Sequence, residues 1–244
     1  LIEDRRVFGL KRRPIASEHI IYPRVPITLS NVPGYQSVPW THELRFKSTY
    51  TSSAQAVLQN ISQWSVAIEP TGSYSGSAEY GRVNFYISGS GGYVSSSTPY
   101  APIFDGDYWN LRVQTEVMPS YDAATDISTT NQAWNIKCQR ASDHAVGRIT
   151  HAVSSSLVLL DTNAMTGSNS ASYNNSWRGV TGLETLLYIG GYRMTEVGVG
   201  HPISGSIQEY REYIEKINDT TFDLHTFNPT SYVGNNETSS FDTL

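Results

Sequence analysis

The sequence predicts an all-β fold, a sandwich or barrel of short strands, on three observations. Apolar and polar residues alternate with period two in segment after segment; Gly, Ser, Asn, Asp and Pro clusters separate those segments; and helical periodicity is almost absent. Composition agrees. Hydrophobic residues are 39% and charged residues 16%, both below the globular average, and Ser, Thr, Asn, Gly and Tyr fill the difference. Those residues populate strands and turns rather than helices. A length of 244 residues suits one large all-β domain and no internal repeat is present.

In chain order, residues 1–39 form an extended arm. Pro14, Pro23, Pro26, Pro33 and Pro39 interrupt it, and Ile20, Ile21, Tyr22, Val25, Ile27 and Leu29 give it an apolar content that predicts contact with a surface, its own domain's or a neighbour's. The domain proper spans 40–229. Thr41 to Ser48 alternates with Leu44 and Phe46 on one face and Glu43, Arg45 and Lys47 on the other. Gln63 to Ile68, Gly81 to Ile87 and Tyr93 to Ser97 follow as strands. Asp105-Gly106 makes a turn into a strand carrying Trp109, Leu111 and Val113 inward. Gln132 to Arg140, Val146 to Val153 and Ser156 to Leu160 add three more. Asn163 to Gly179 reads as a polar loop. Leu186 to Gly191 is a strand ending in paired glycines, Ile203 to Ile214 is the last long strand, and Asp219 to Thr226 forms a short helix capped by Asn218. Residues 230–244 are a polar tail or linker.

Charge and cysteine count exclude several classes. Net charge is −5 and the isoelectric point is near 5.7, which argues against nucleic acid as a partner of the main domain. Residues 1–24 carry six basic and three acidic residues, +3, which leaves −8 for the rest. The arm residues Arg5, Arg6, Arg12, Arg13 and Tyr22 therefore either dock on an acidic neighbour or lie solvated. Cys138 is the single cysteine, so no internal disulfide forms; it sits in a strand as a buried structural thiol. No apolar run reaches the ~18–20 residues of a membrane span. The chain starts with Leu and has no apolar leader, which predicts a processed product or an excerpt of a longer polypeptide.

Three segments carry a resemblance. Phe104-Asp-Gly-Asp-Tyr-Trp-Asn-Leu-Arg-Val is similar to a "DG-x-W-H-x-V" strand, with a longer turn and Asn110 in place of His. Leu187-Tyr-Ile-Gly-Gly is similar to "L-x-I-G-G". Ile203-Ser-Gly-Ser-Ile-Gln-Glu-Tyr-Arg-Glu-Tyr…Ile217-Asn is similar to "F-x-G-x-I-D-E-V-R-I-Y…L-S", with Gly205, Ile207, Glu209, Arg211, Tyr213 and Ile217 in step. In this order they resemble the concanavalin A-like lectin/glucanase superfamily, in its laminin-G/pentraxin branch. The resemblance implies a two-sheet antiparallel jelly-roll sandwich. The ending His225-Thr-Phe-Asn-Pro-Thr-Ser-Tyr resembles linkers after such domains in phage and large-virus virion proteins.

The chemistry points away from catalysis. Glucanases of the superfamily carry E-x-D-x-x-E, which is absent. Glu209 and Glu212 point to opposite faces of a strand, whereas Glu209 and Arg211 share a face and form an ion pair. His19, His42, His144, His151, His201 and His225 show no metal-ligand spacing. No cofactor is expected; calcium is conceivable by resemblance, at Asp105 and Asp107, with Asp122 and Asp126 further candidates. Glycan binding needs exposed rings beside Asn or Asp. Tyr173, Asn174, Asn175 and Trp177 in one loop, with Tyr192 in a second, fit that need. The alternative is that Trp177 plugs a sandwich end and Tyr173 covers an edge. The leading expectation is a non-catalytic decoration, fibre or adaptor module of a virion or similar assembly, partnered by other structural proteins or copies of itself. The alternative is a lectin-like domain binding cell-surface glycans; a glycan-degrading enzyme is the remote third.

Overall fold

The computed structural model describes residues 20–23, 40–60, 64–71, 79–89, 92–122, 127–141, 148–159, 186–190, 201–213, 215–231 and 233–235. Among them are twelve strands and one helix: β1 (Ile20–Pro23), β2 (Trp40–Ser48), β3 (Gln55–Asn60), β4 (Trp64–Pro70), β5 (Gly81–Gly89), β6 (Gly92–Ser97), β7 (Trp109–Asp122), β8 (Ile127–Ala141), β9 (Ile149–Leu159), β10 (Leu186–Ile189), β11 (His201–Pro202), β12 (Gly205–Tyr213) and α1 (Asp219–Phe227). They make two sheets. One runs β1-β10-β3-β4-β5-β6, with β11 also paired to β3; the other runs β12-β2-β7-β8-β9. All neighbours are antiparallel except β11 with β3. This is the expected all-β jelly-roll sandwich of two stacked antiparallel sheets.

Period-two patterning decides which face each strand buries. From the five-stranded sheet Leu44, Phe46, Trp109, Leu111, Val113, Trp134, Ile136 and Cys138 point inward. From the other sheet Leu58, Trp64, Val66, Ile68, Val83, Phe85 and Ile189 meet them, all in one apolar cluster. Rings bridge the layers: Phe85 and Trp134 have centroids 4.8 Å apart, and Trp64 lies 5.6 Å from His42. His42 Nδ1 is 2.7 Å from Tyr210 Oη, so the buried polar edge of the core is hydrogen-bonded. Burial pushes the Cys138 thiol up, which keeps it protonated and inert.

The sequence motifs behave as turn and packing devices. Gly106 and Gly190 have φ of +87° and +89°, a region that favours glycine. A Cβ on Gly205 would sit 1.9 Å from the Lys47 carbonyl oxygen, so only glycine lets β12 approach β2 there.

Within the arm, Ile20–Pro23 pairs antiparallel with β10, setting Tyr22 opposite Leu187. One expectation needs correction. The strands expected at Val146–Val153 and Ser156–Leu160 are one strand, β9. Ser154 to Ser156 continue the in-out alternation, so Val153 and Leu157 both reach the core from one uninterrupted strand. A further strand, β3, is formed by Gln55–Asn60. It is bulged between Ala56 and Leu58, which lets the successive residues Val57 and Leu58 both join the core.

Helix α1 lies across the outer face of the five-stranded sheet. Asn218 caps it, its side chain accepting from Thr221 N at 2.8 Å. Thr221, Phe222, His225 and Thr226 form the buried face. Arg112 and Lys137 lie over the Phe222 ring, at 5.0 and 5.9 Å from its centroid. Arg112 Nη2 donates to Asp219 at 2.8 Å, and Gln139 Nε2 donates to Asp223 and Thr226. Asn235 donates to the Lys216 carbonyl at 2.6 Å and its side chain accepts from Asn218 N, contacts that cross the boundary expected after Pro229.

Candidate functional site

Strands β4 and β5 build a polar and aromatic patch on the outer face of the larger sheet. Register places Glu69 opposite Arg82, and alternation puts Arg82, Asn84 and Tyr86 on one face of β5. Glu69 Oε2 accepts from Arg82 Nε at 2.6 Å and from Asn84 Nδ2 at 2.8 Å. Asn84 Nδ2 also donates to Tyr86 Oη at 3.0 Å. Partial burial pushes the Glu69 carboxyl up, but the hydrogen bonds from Asn84 and Arg82 and the guanidinium charge outweigh it and hold it below the usual carboxylate range.

Aromatic rings flank this ladder. An antiparallel bridge joins Gly81 to Ala101, so Tyr100 falls opposite Arg82, and the Arg82 guanidinium lies 5.3 Å from the Tyr100 centroid. Tyr80 precedes Gly81 by one residue. A Cβ on Gly81 would meet the Phe104 ring at 2.7 Å, and Tyr50 packs edge-on against the same ring, centroids 5.5 Å apart. Tyr50, Tyr80 and Tyr100 are 39%, 42% and 41% exposed. The described aromatic residues with that degree of exposure are these three and Phe227 of α1. The Tyr100 ring thus lies beside a carboxylate, a guanidinium and an amide on the outer face of the sheet, while Tyr50 packs on Phe104.

The same segment holds the expected calcium candidates. Asp105 Oδ1 accepts from Asp107 N at 2.9 Å and from the Trp109 indole at 3.3 Å, so the carboxylate shapes its own turn. Asp105 Oδ2 and Asp107 Oδ2 bind Arg140, whose Nη1 bridges them. A guanidinium already supplies the positive charge between the two carboxylates, and a cation would have to displace it. Among the described residues no group of three or more His, Cys, Asp or Glu side chains is arranged to hold a metal ion.

The other sequence-predicted residues separate. Tyr173, Asn174, Asn175, Trp177 and Tyr192 lie outside the described residues, as do Arg5, Arg6, Arg12, Arg13 and Asp126. Tyr22 is in β1, and Asp122 ends β7 opposite Ile127. Glu209 and Glu212 face opposite sides of β12: Glu209 binds Arg211 on the outer face, while Glu212 accepts from Tyr210 Oη at 3.3 Å. Burial pushes the Glu209 carboxyl up despite the charges of Arg211 and Arg45. Sequence reading missed Tyr80 and Tyr100. Tyr80 stands directly before β5 and Tyr100 directly before the 101–108 turn segment, and the Gly81–Ala101 pairing that joins those segments is tertiary.

Among the described residues no helix is long and apolar enough to cross a membrane. No family model matches the chain, and no curated protein matches it. Among solved structures, the chain is similar to the CBM40 of the Ruminococcus gnavus IT-sialidase bound to α2,6-sialyllactose, at 15% identity and a TM-score of 0.42, over 90% of this chain and 96% of that one. It is similar to a leech intramolecular trans-sialidase complexed with 2,7-anhydro-Neu5Ac, at 15% identity and a TM-score of 0.41, over 94% of this chain and 28% of that one. It is also similar to the botulinum neurotoxin serotype D/C binding domain, at 10% identity and a TM-score of 0.40, over 94% of this chain and 48% of that one.

Proposed function

We propose that this protein is a non-catalytic glycan-binding module of lectin type, and that Glu69, Arg82 and Tyr100, with Glu69 held in place by the buried Asn84, form its sugar site. The observation that carries the reading is the half-exposed Tyr100 ring fixed beside an ordered carboxylate–guanidinium–amide ladder. Sugars present one C–H face and a rim of hydroxyls. A rigid ring covers the first, and pre-positioned polar groups satisfy the second. The ladder groups hold one another by hydrogen bonds, so little side-chain freedom is lost on binding.

A catalytic role finds less support. Glu209 is occupied by Arg211, and Glu212 lies on the far side of its strand. The assembly role expected from the arm rests on residues outside the described ones, and Ile20–Pro23 uses one hydrogen-bonding edge on the chain's own β10. The glycan reading therefore stands first. A glycan array holding neutral and acidic sugars tests it. The expected result is binding to at least one sugar class that is weakened about tenfold or more by Tyr100→Ala, the scale of losing a stacked ring. Silence across the array removes the reading.

A further inference from the structure

Resting on that glycan-binding reading, we infer that the patch selects uncharged sugars, with Glu69 Oε1 accepting a hydrogen bond from a sugar hydroxyl, and discriminates against carboxylated ones. Among the described residues, the hydrogen bonds that Glu69 receives fall on a single oxygen. Arg82 Nε, Arg82 Nη2 and Asn84 Nδ2 all meet Oε2, at 2.6, 2.5 and 2.8 Å. The side chain is 36% exposed, so Oε1 is left for a ligand. An ionised carboxylate oxygen accepts and does not donate. Its complement is a hydroxyl.

The charge balance points the same way. Arg82 is the cation of the patch, and Glu69 already neutralises it through two of its nitrogens, while the Tyr100 ring lies against its guanidinium. A sugar carboxylate has two ways in. It can approach Glu69 directly, where two like charges meet, and Glu69 is held ionised by Arg82 and Asn84. Or it can draw Arg82 away, which strips Glu69 of the partner that offsets its partial burial. A neutral pyranose meets neither cost: its hydroxyls serve Oε1 and its C–H face serves the Tyr100 ring.

The matched probes are lactose and its carboxylated derivatives 3′-sialyllactose and 6′-sialyllactose, with maltose and cellobiose as further neutral disaccharides, titrated calorimetrically into the full chain. The expected result is that a neutral disaccharide binds and that neither sialyllactose binds more tightly than lactose. Glu69→Gln is expected to weaken the neutral ligand about tenfold, the scale of one hydrogen bond to a charged group. Tyr100→Phe, which keeps the ring, is expected to leave binding within about threefold, and thermal melts report whether each variant folds. Sialyllactose binding about tenfold tighter than lactose and lost in Arg82→Ala overturns the inference while the glycan reading stands. Neutral binding indifferent to Glu69→Gln also overturns it. Binding to no sugar, or binding untouched by both Glu69→Gln and Tyr100→Ala, removes the site and the inference together.

Discussion

His225 of α1 and Glu43 of β2 form a buried pair that fastens the C-terminal segment to the sandwich: Nδ1 lies 2.7 Å from Glu43 Oε2, and Nε2 lies 2.8 Å from the Val233 carbonyl oxygen. Both partners are oxygen atoms, one from a side chain and one from the backbone. Arg211 shares Glu43 Oε2 at 3.4 Å and also holds Glu209 and the Pro229 carbonyl. Removing either partner leaves a buried charge underpaired. His225→Ala is expected to cost about 2–4 kcal/mol in urea unfolding. The His225→Ala/Glu43→Gln double variant is expected to lose less than the sum, with a coupling of about 1–3 kcal/mol. Strict additivity would show that the pair is not a unit.

At Gly205 the backbone of β12 passes the Lys47 carbonyl so closely that no Cβ fits. Gly205→Ala must push β12 off β2 and is expected to lower the melting temperature by about 10 °C or more, or to prevent soluble expression. Gly106→Ala is the control. Its φ is positive but its Cβ meets nothing within 4 Å, so its cost is limited to backbone strain, about 1 kcal/mol.

Asp219 sets a pH dependence. Partial burial pushes its carboxyl up, but Arg112 and Lys137, by hydrogen bonds and charge, outweigh this and hold it below its ordinary value. A depressed folded value means that the contribution to stability is present above the unfolded value of about 3.9 and is lost as pH falls through the folded one. The side chain is 67% exposed, so the effect is small. Asp219→Asn is expected to be less stable than the parent at pH 6 and to converge with it in acid. A gap that persists to the lowest pH at which the fold survives would assign the effect to helix capping or packing instead of charge.

Legibility in the sequence followed side-chain size and alternation. β2, β5 and the start of β7 were readable because large apolar residues, such as Phe46, Phe85 and Trp109, recur every second position. α1 was readable because Asn218 announces it. β9 was split in two because three serines carry no hydropathy signal, although their alternation persists. β1 was hidden by prolines that forbid a central strand and allow an edge-type one. Of the site, Glu69, Arg82 and Asn84 look like ordinary outward-facing residues, and only the register of β4 against β5 and the Gly81–Ala101 bridge bring them under Tyr100.

Cys138 gives a prediction about reactivity. It is fully buried in β8 opposite Leu111 and Val153, and burial pushes its thiol far up. Native protein is expected to resist a thiol reagent such as dithionitrobenzoate at pH 8, and labelling is expected to follow the rate of opening. Fast stoichiometric labelling in the native state would place the thiol at the surface.

The bulge in β12 yields the last prediction. Ile207 pairs with Phe46 and Glu209 with Arg45, so Gln208 is an extra residue in its strand. Strict alternation from Gly205 would put Ile207, Glu209, Arg211 and Tyr213 on one face. The bulge separates them. Ile207 and Tyr210 enter the core, while Glu209 and Arg211 face α1 and its C-terminal extension. Deleting Gln208 therefore leaves a regular strand in which every other residue keeps its face. The expected loss is its hydrogen bond from Arg45 Nε, 2.7 Å, worth about 1–2 kcal/mol. Deleting Asn110 from the regular central strand β7 is different. Its pairings with Arg45 and Gln139 run through an unbroken register, and one missing residue turns either Trp109 or Leu111 out of the core. The Gln208 deletion is expected to fold with a modest fall in urea midpoint, and the Asn110 deletion to yield no soluble protein. Equal damage from both would mean that Gln208 is not a spare residue in the strand.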